Sequence, residues 1–345
     1  MRLLLPTLAA GLAIFAAGAT ARKAPADGPY HVLKTAKVGG EGGFDYVYAD
    51  VDGRRLYIPR SGPAARVAVF DLDSLAPAGE IKMTNARGAA SDAKSHHGFS
   101  SSSPVAMWDT KTLEPIKTIP VEGRPDGILN DPFNHHVYIF SHSAPNATVL
   151  DAADGKVLGT IDLGGAPEQA VTDGKGHIYV DIEDKDTVAV VDAKTMKVTA
   201  QYSLNGKGGG NAGLAIDAKN HVLFVACRNP QTMVMLDANN GKVLADLPIG
   251  RGCDGAVFNP KTRECFSSQG DGTLTVIKEK SPTEFTVEET VKTMPGAKTL
   301  TLDSKTNNIL LIAAEYGAPA NPQAGGRPGR GQMAPGSFSI VVVGK

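Results

Sequence analysis

The stretch VAMWDTKTLE (105–114) holds the only tryptophan of the 345-residue chain, Trp108, followed at once by Asp109. Four other stretches share its outline: VAVFDLDSLA (67–76), ATVLDAADGK (147–156), VAVVDAKTMK (188–197) and MVMLDANNGK (233–242). All keep the aspartate and none keeps the tryptophan. Asp71, Asp109, Asp151, Asp192 and Asp237 follow one another at intervals of 38, 42, 41 and 45 residues. An aspartate at the end of an apolar strand starts a tight turn by accepting a bond from its own backbone two residues on. The residue before it is Phe70, Trp108, Leu150, Val191 or Leu236, so that column needs only an apolar side chain, and Trp108 is incidental.

A second ladder runs through ADVDGRRLYI, SDAKSHHGFS, NDPFNHHVYI, TDGKGHIYV, IDAKNHVLFV, FNPKTRECFS and LDSKTNNILLI. Its anchors are Asp50, Asp92, Asp131, Asp173, Asp217, Asn259 and Asp303, spaced 42, 39, 42, 44, 42 and 44 residues apart. Seven units of one period are a repeat architecture. Each unit alternates apolar strands with Asp, Asn and Gly turns, which predicts four short antiparallel strands per unit. One such sheet cannot bury both faces, whereas seven arranged radially cover one another. The sequence therefore predicts an all-β, seven-bladed propeller spanning 22–345. The last unit, ending GSFSIVVVGK, has only three strands, and YHVLKTAKV (30–38) precedes the first unit unpaired; the N-terminal strand is expected to close blade 7. The Trp-Asp pair does not make this a WD-repeat protein.

Met1-Arg2, the apolar run 3–18 and Ala19-Thr20-Ala21 have the outline of a secretory signal peptide, 1–21. A periplasmic or secreted location is expected, with no membrane-spanning segment in the mature chain. Lys and Arg number 35 against 36 Asp and Glu, so no global field favours nucleic acid or an anionic membrane. Three cysteines are too few for a disulfide framework; Cys227 and Cys253 are expected on adjacent blades, as either a disulfide or two buried thiols. The Gly/Pro-rich stretch 317–337 interrupts blade 7 without an apolar face to bury, and reads as a mobile insertion on the same face as the candidate site.

Repeats of about 42 residues with these second and third strands resemble the YVTN-repeat propellers, the YncE-like exported proteins, over essentially the whole mature chain. GGEGGFDY (39–46), GRPDGIL (123–129), GLAIDA (213–218), CRN (227–229) and DGTLTV (271–276) carry the resemblance to an exported bacterial subgroup. The resemblance implies the propeller fold and export, and no shared catalytic motif. DNA binding attaches to the YncE-like label by analogy alone.

The repeat assigns each polar residue to a face. Five residues before each second-ladder anchor, at the channel mouth, stand Asp45, Arg87, Asp126, Glu168, Ala212, Asp254 and Lys298. On the loops after the second strand lie Arg60, His142, Glu183, Arg228, Gln269 and Glu315. Charges at a half-buried place are costly unless paired, so this set predicts an inter-blade salt-bridge ring, a ligand pocket, or both. Arg60, Arg66, Arg87, Arg124, Arg228, Arg251, Arg327 and Arg330 all map to this face, which favours an anionic ligand or acidic partner unless local acids occupy them.

Other motifs carry less. His96, His97, His135, His136, His177 and His221 fall in the turn between first and second strands of separate blades and replace ordinary turn residues. DIEDKD (181–186) offers carboxylates to Ca²⁺, but lacks EF-hand spacing and reads as a solvated acidic turn. NGKGGGN (205–211) is not a phosphate loop, since neither Ser/Thr nor a helix follows its lysine. Asn146-Ala147-Thr148 is a glycosylation sequon.

The expected function is a non-catalytic, monomeric binding propeller without a cofactor, its mouth taking an anionic small molecule or an envelope protein. The rival is an enzyme resembling the propeller lactonases, with a divalent cation held among Glu41, Asp45, Asp126, Glu168 and Asp254, of which Asp126, Glu168 and Asp254 are the metal candidates.

Overall fold

The computed structural model describes residues 28–62, 64–82, 85–318 and 331–345. The expected signal peptide, 1–21, lies outside the described residues, as do 319–330 of the insertion with Arg327 and Arg330. The described residues form strands and turns, and no helix among them is long and apolar enough to cross a membrane.

Seven antiparallel sheets follow along the chain: blade 1 at 43–82, blade 2 at 89–119, blade 3 at 125–161, blade 4 at 167–203, blade 5 at 211–248, blade 6 at 253–292, and blade 7 from 300–313, 339–344 and 31–37. Their first strands are innermost and touch in order around a closed ring, blade 7 meeting blade 1. Blade 1 alone has this strand in two pieces, Gly43–Phe44 and Tyr48–Asp50, both paired with Arg55–Ser61. The break between them carries Asp45.

Both ladders of acids make the turns. Asp109 Oδ1 accepts from the amides of Lys111 and Thr112 at 2.9 and 2.8 Å, and Asp192 Oδ1 from Thr195 at 2.7 Å. The residue four after each third-strand aspartate is left-handed, as at Leu75, Leu113, Gly155, Met196 and Gly241. The turn between first and second strands repeats the device, with left-handed Arg54, His96, His135, His221, Arg263 and Asn307 four residues after their anchors. Histidine and asparagine tolerate this region better than most side chains, which gives His96, His135 and His221 a conformational reason to be there.

The apolar residues of the strands meet between blades. Seven buried clusters each fill one blade interface. Trp108 lies fully buried between blades 1 and 2, its ring 5.7 Å from Tyr57. Gly98 makes room for it: a Cβ there would stand 2.1 Å from the indole. Burial of each such Leu, Val or Phe is worth about 1.5–3 kcal/mol, so the interfaces hold the ring.

The closure is the one the strand count predicts. His31–Lys37 runs antiparallel to Ser339–Gly344, as the outermost strand of blade 7. Tyr30 and Lys345 converge on Glu264 of blade 6: Tyr30 Oη donates to Oε2 at 2.5 Å and Lys345 Nζ stands 3.1 Å from Oε1.

Candidate functional site

At the end of the ring where the innermost strands begin, eight side chains form a closed circuit of alternating charge. Asp45 of blade 1 meets Arg87 of blade 2 at 2.7 Å, and Arg87 meets Asp126 of blade 3 at 3.3 Å. Asp126 meets His142, on the loop after the second strand of its own blade, at 3.4 Å, and His142 meets Glu168 of blade 4 at 3.0 Å. Glu168 stands 3.4 Å from Arg228 of blade 5, which pairs with Asp254 of blade 6. Lys298 of blade 7 pairs with Asp254 and reaches Asp45 at 3.5 Å, which completes the circuit. Glu183 joins as a further partner of Arg228. At blade 5 the mouth position is Ala212, and Arg228 from the end of that blade's second strand supplies the charge in its place.

These residues rim a solvent-open cavity of about 270 Å³. Nine of the eleven ionisable side chains expected at the mouth line it: Asp45, Arg87, Asp126, His142, Glu168, Glu183, Arg228, Asp254 and Lys298. The lining also includes Arg124 and Pro125. Arg124 is exposed at the rim and has no acidic partner among the described residues.

The electrostatics differ around the circuit. Burial pushes the Asp126 carboxyl up to about 6, with Glu168 and Asp45 adding to the rise and His142 and Arg87 opposing it. The hydrogen bond with Glu168 raises His142 above its ordinary value against burial. Burial works against the Arg228 charge, but Asp254, Glu183 and Glu168 outweigh it and hold the guanidinium ionised. A proton is therefore more easily gained or lost at the Asp126–His142 edge than at Arg228.

The channel continues below as a cavity of about 160 Å³ lined by Tyr46, Glu168 and Gln169 among others. Burial, then Glu168, Asp126, Asp45 and Asp254, raise the Tyr46 phenol far above its ordinary range, so it stays protonated. Gln169 stitches three inner strands. Its Oε1 accepts from the Leu214 and Ala256 amides at 3.0 and 3.1 Å, and its Nε2 donates to the Ala256 carbonyl at 3.0 Å. Gly213 permits this approach, since a Cβ there would lie 2.7 Å from the Gly255 carbonyl carbon.

Two of the ionisable residues expected at the mouth lie elsewhere. Arg60 is 1% exposed, its guanidinium 3.8 Å from the Phe338 ring centroid, donating to the Gly40 and Gly42 carbonyls at 3.1 and 2.9 Å. The loop 39–42 folds over it, so it holds chain rather than facing the cavity. Glu315 is exposed and pairs with Lys37 at 3.2 Å at the closing strand, away from the circuit. Glu41 is exposed and does not line the cavity, and Arg66 pairs with Glu80 at 3.4 Å.

The DIEDKD acids do not converge on a cation, and they are not one solvated turn either. Asp181 is fully buried and receives Asn211 Nδ2 at 2.8 Å, Glu183 faces the mouth, and Asp184 and Asp186 accept the Ala166 and Gly210 amides at 2.7 and 2.9 Å. Cys227, Cys253 and Cys265 are free, buried thiols. Among the described residues one group of side chains has ligand atoms close enough to share a metal ion: Asp126, His142 and Glu168, all within 4.8 Å. The turn histidines do not take part in it.

The repeat pattern marks Arg124 only weakly and does not single out Tyr46 or Gln169. Arg124 was visible as an arginine of the correct face, two residues before Asp126. Tyr46 and Gln169 each follow a mouth position directly, and that adjacency was their signal.

No protein-family model matches the sequence, and no curated protein does. Solved structures share its form. The crystal structure of RRP9 WD40 repeats superposes with a TM-score of 0.70 at 12% identity, covering 93% of this chain and 99% of that one. A chain in the crystal structure of the Mitotic Checkpoint Complex does so with a TM-score of 0.68 at 11% identity, covering 88% and 96%. At such identities the likeness extends to the propeller fold and no further.

Proposed function

We propose that the chain is an exported, non-catalytic binding propeller whose mouth holds a small anionic molecule. The observation that carries this reading is the charge circuit itself, assembled from all seven blades around an open cavity of about 270 Å³. Well-packed apolar residues hold a protein together as well as buried ion pairs do, and often better by about 1–4 kcal/mol, so structural need alone does not call for this lining. Preorganised charges around a concave opening suit recognition.

Arg87, Arg228 and Lys298 already hold acids, so an incoming carboxylate or phosphate exchanges one charge-assisted bond for another. Arg124 at the rim, without such a partner, gives the ligand its first contact. The cavity size favours a small molecule over a protein partner. The N-terminal segment 1–21 and the resemblance to YVTN-repeat propellers support export. Recovery of a mature chain beginning at Arg22 from the periplasm would agree with this; an intact Met1 on the exported chain would contradict it.

Thermal unfolding in the presence of gluconate, citrate or inorganic phosphate tests the binding. A ligand at about 100 times its Kd stabilises the fold by about 2.7 kcal/mol, and Arg124→Ala should remove most of the shift while leaving the circuit in place. Unchanged melting with every one of these anions would overturn the proposal.

A further inference from the structure

We infer that the mouth also takes a divalent cation of the zinc class, held by Asp126 Oδ2, His142 Nε2 and Glu168 Oε2; this rests on the reading of the mouth as a ligand site. His142 Nε2 lies 3.4 Å from Asp126 Oδ2 and 3.0 Å from Glu168 Oε2. Zinc binds nitrogen and oxygen at about 2.0–2.1 Å, which puts neighbouring ligands of a tetrahedron about 3.3 Å apart. The two separations from His142 thus have nearly the spacing of tetrahedral corners before any ion enters, and all three ligand atoms lie within 4.8 Å of one another. A metal ion would take the place of a proton on Nε2, which stands 3.0 Å from Glu168 Oε2, and that proton would leave to solvent.

The remaining oxygens are fixed from outside the trio. Arg87 Nε holds Asp126 Oδ1 at 3.3 Å, and Arg228 Nη2 holds Glu168 Oε1 at 3.4 Å. Outer contacts that aim ligand atoms inward in this way are a recurring part of metal sites. The three ligands come from separate chain segments: the innermost strand Pro125–Asp131, the loop after His136–Ser141, and the innermost strand Pro167–Thr172. An imidazole with two carboxylates suits zinc and its neighbours better than calcium or magnesium, which favour six or more oxygens.

The charges agree. Five carboxylates and four fixed cations line the cavity, a net −1 with His142 neutral, and a divalent ion turns that to +1. All three ligands and Arg124 line the cavity, so an ion held there would be open to an anion entering it. The ion would thereby supply the attraction that the paired arginines lack.

Calorimetric titration of the mature chain with Zn²⁺ alone tests this, followed by the visible spectrum of the Co²⁺ form, which distinguishes four-coordinate from six-coordinate cobalt. One Zn²⁺ per chain and a tetrahedral cobalt spectrum are expected. His142→Ala and Glu168→Gln should each weaken uptake by more than the about 10–100-fold that outer contacts contribute, whereas His135→Ala on the opposite face should leave it unchanged. The melting temperature of each variant confirms that it is folded. No saturable uptake by the intact chain, or equal uptake by His142→Ala, overturns the inference. Anion binding lost in Arg124→Ala but kept in His142→Ala would then leave the proposed function standing without the metal.

Discussion

Two faces of the propeller carry rings of polar contacts between blades, and they are built differently. On the face opposite the mouth, each contact joins two neighbours and ends there. Arg54 of blade 1 pairs with Asp303 of blade 7 at 2.8 Å, His135 of blade 3 with Asp92 of blade 2 at 2.8 Å, and Thr172 of blade 4 with Asp131 of blade 3 at 2.8 Å. The acids there also serve their own turns: Asp92 accepts the Ser95 amide at 2.8 Å and Asp303 the Lys305 amide at 3.1 Å. At the mouth, the side-chain bonds of Asp45, Asp126, Glu168 and Asp254 all go to Arg, Lys or His. Acids with local backbone work belong to the scaffold. Acids without it, joined into a circuit around an opening, are the ones to test for function.

The largest expected effect separates these kinds of ring. Arg228→Leu leaves Glu168, Glu183 and Asp254 together without their shared cation, and removing one partner of a buried set costs about 3–5 kcal/mol. Denaturant unfolding at pH 7 measures it, and a loss no larger than that of Arg54→Ala would erase the distinction.

The next effect is in sign. Asp126 is raised to about 6, so its contribution to stability is complete below about pH 4 and is lost as pH rises through 6. Asp303 is the reverse: burial opposes its charge, but Arg54, Thr306 and the Lys305 amide hold it down at about 2, so its contribution is present above about pH 4 and lost as pH falls towards 2. Asp126→Asn should remove about 2 kcal/mol of decline between pH 4 and 6, and Arg54→Ala should flatten the acid limb by about 1 kcal/mol. Unfolding curves across pH 2–8 read both slopes; the same slope in both variants would break the comparison.

The smallest effect belongs to a single turn. His96 has φ 59°, so His96→Asn should change stability by less than about 0.5 kcal/mol, while β-branched His96→Val should cost about 1–2 kcal/mol. Equal melting of the two variants would remove the conformational reason for histidine in this column.

Much of this was legible in the residues. The recurring aspartates give the blade count because one turn device is used throughout, and the unmatched strand at 30–38 gives the closure. The mouth positions followed from the same register, since a fixed offset from each anchor meets the axis at the same height. Arg60 and Glu315 escaped for different reasons: Arg60 sits near the end of the strand Arg55–Ser61 but under a covering loop, and Glu315 lies past the end of Asn308–Ala313, where the repeat no longer sets direction. The loop 39–42 closes over one, and the closing strand draws the other away. Nor could spacing show that Arg228 substitutes for Ala212, because that depends on the reach of a long side chain across the opening.

The seventh blade takes its outermost strand, His31–Lys37, from ahead of blade 1 and its neighbour, Ser339–Gly344, from after every other strand. As the polypeptide emerges during synthesis, six blades can be complete while the circle still has a gap. Ring closure then waits for Ser339–Gly344 to clear the ribosome. A protein built this way can acquire its central opening only after this late strand is free.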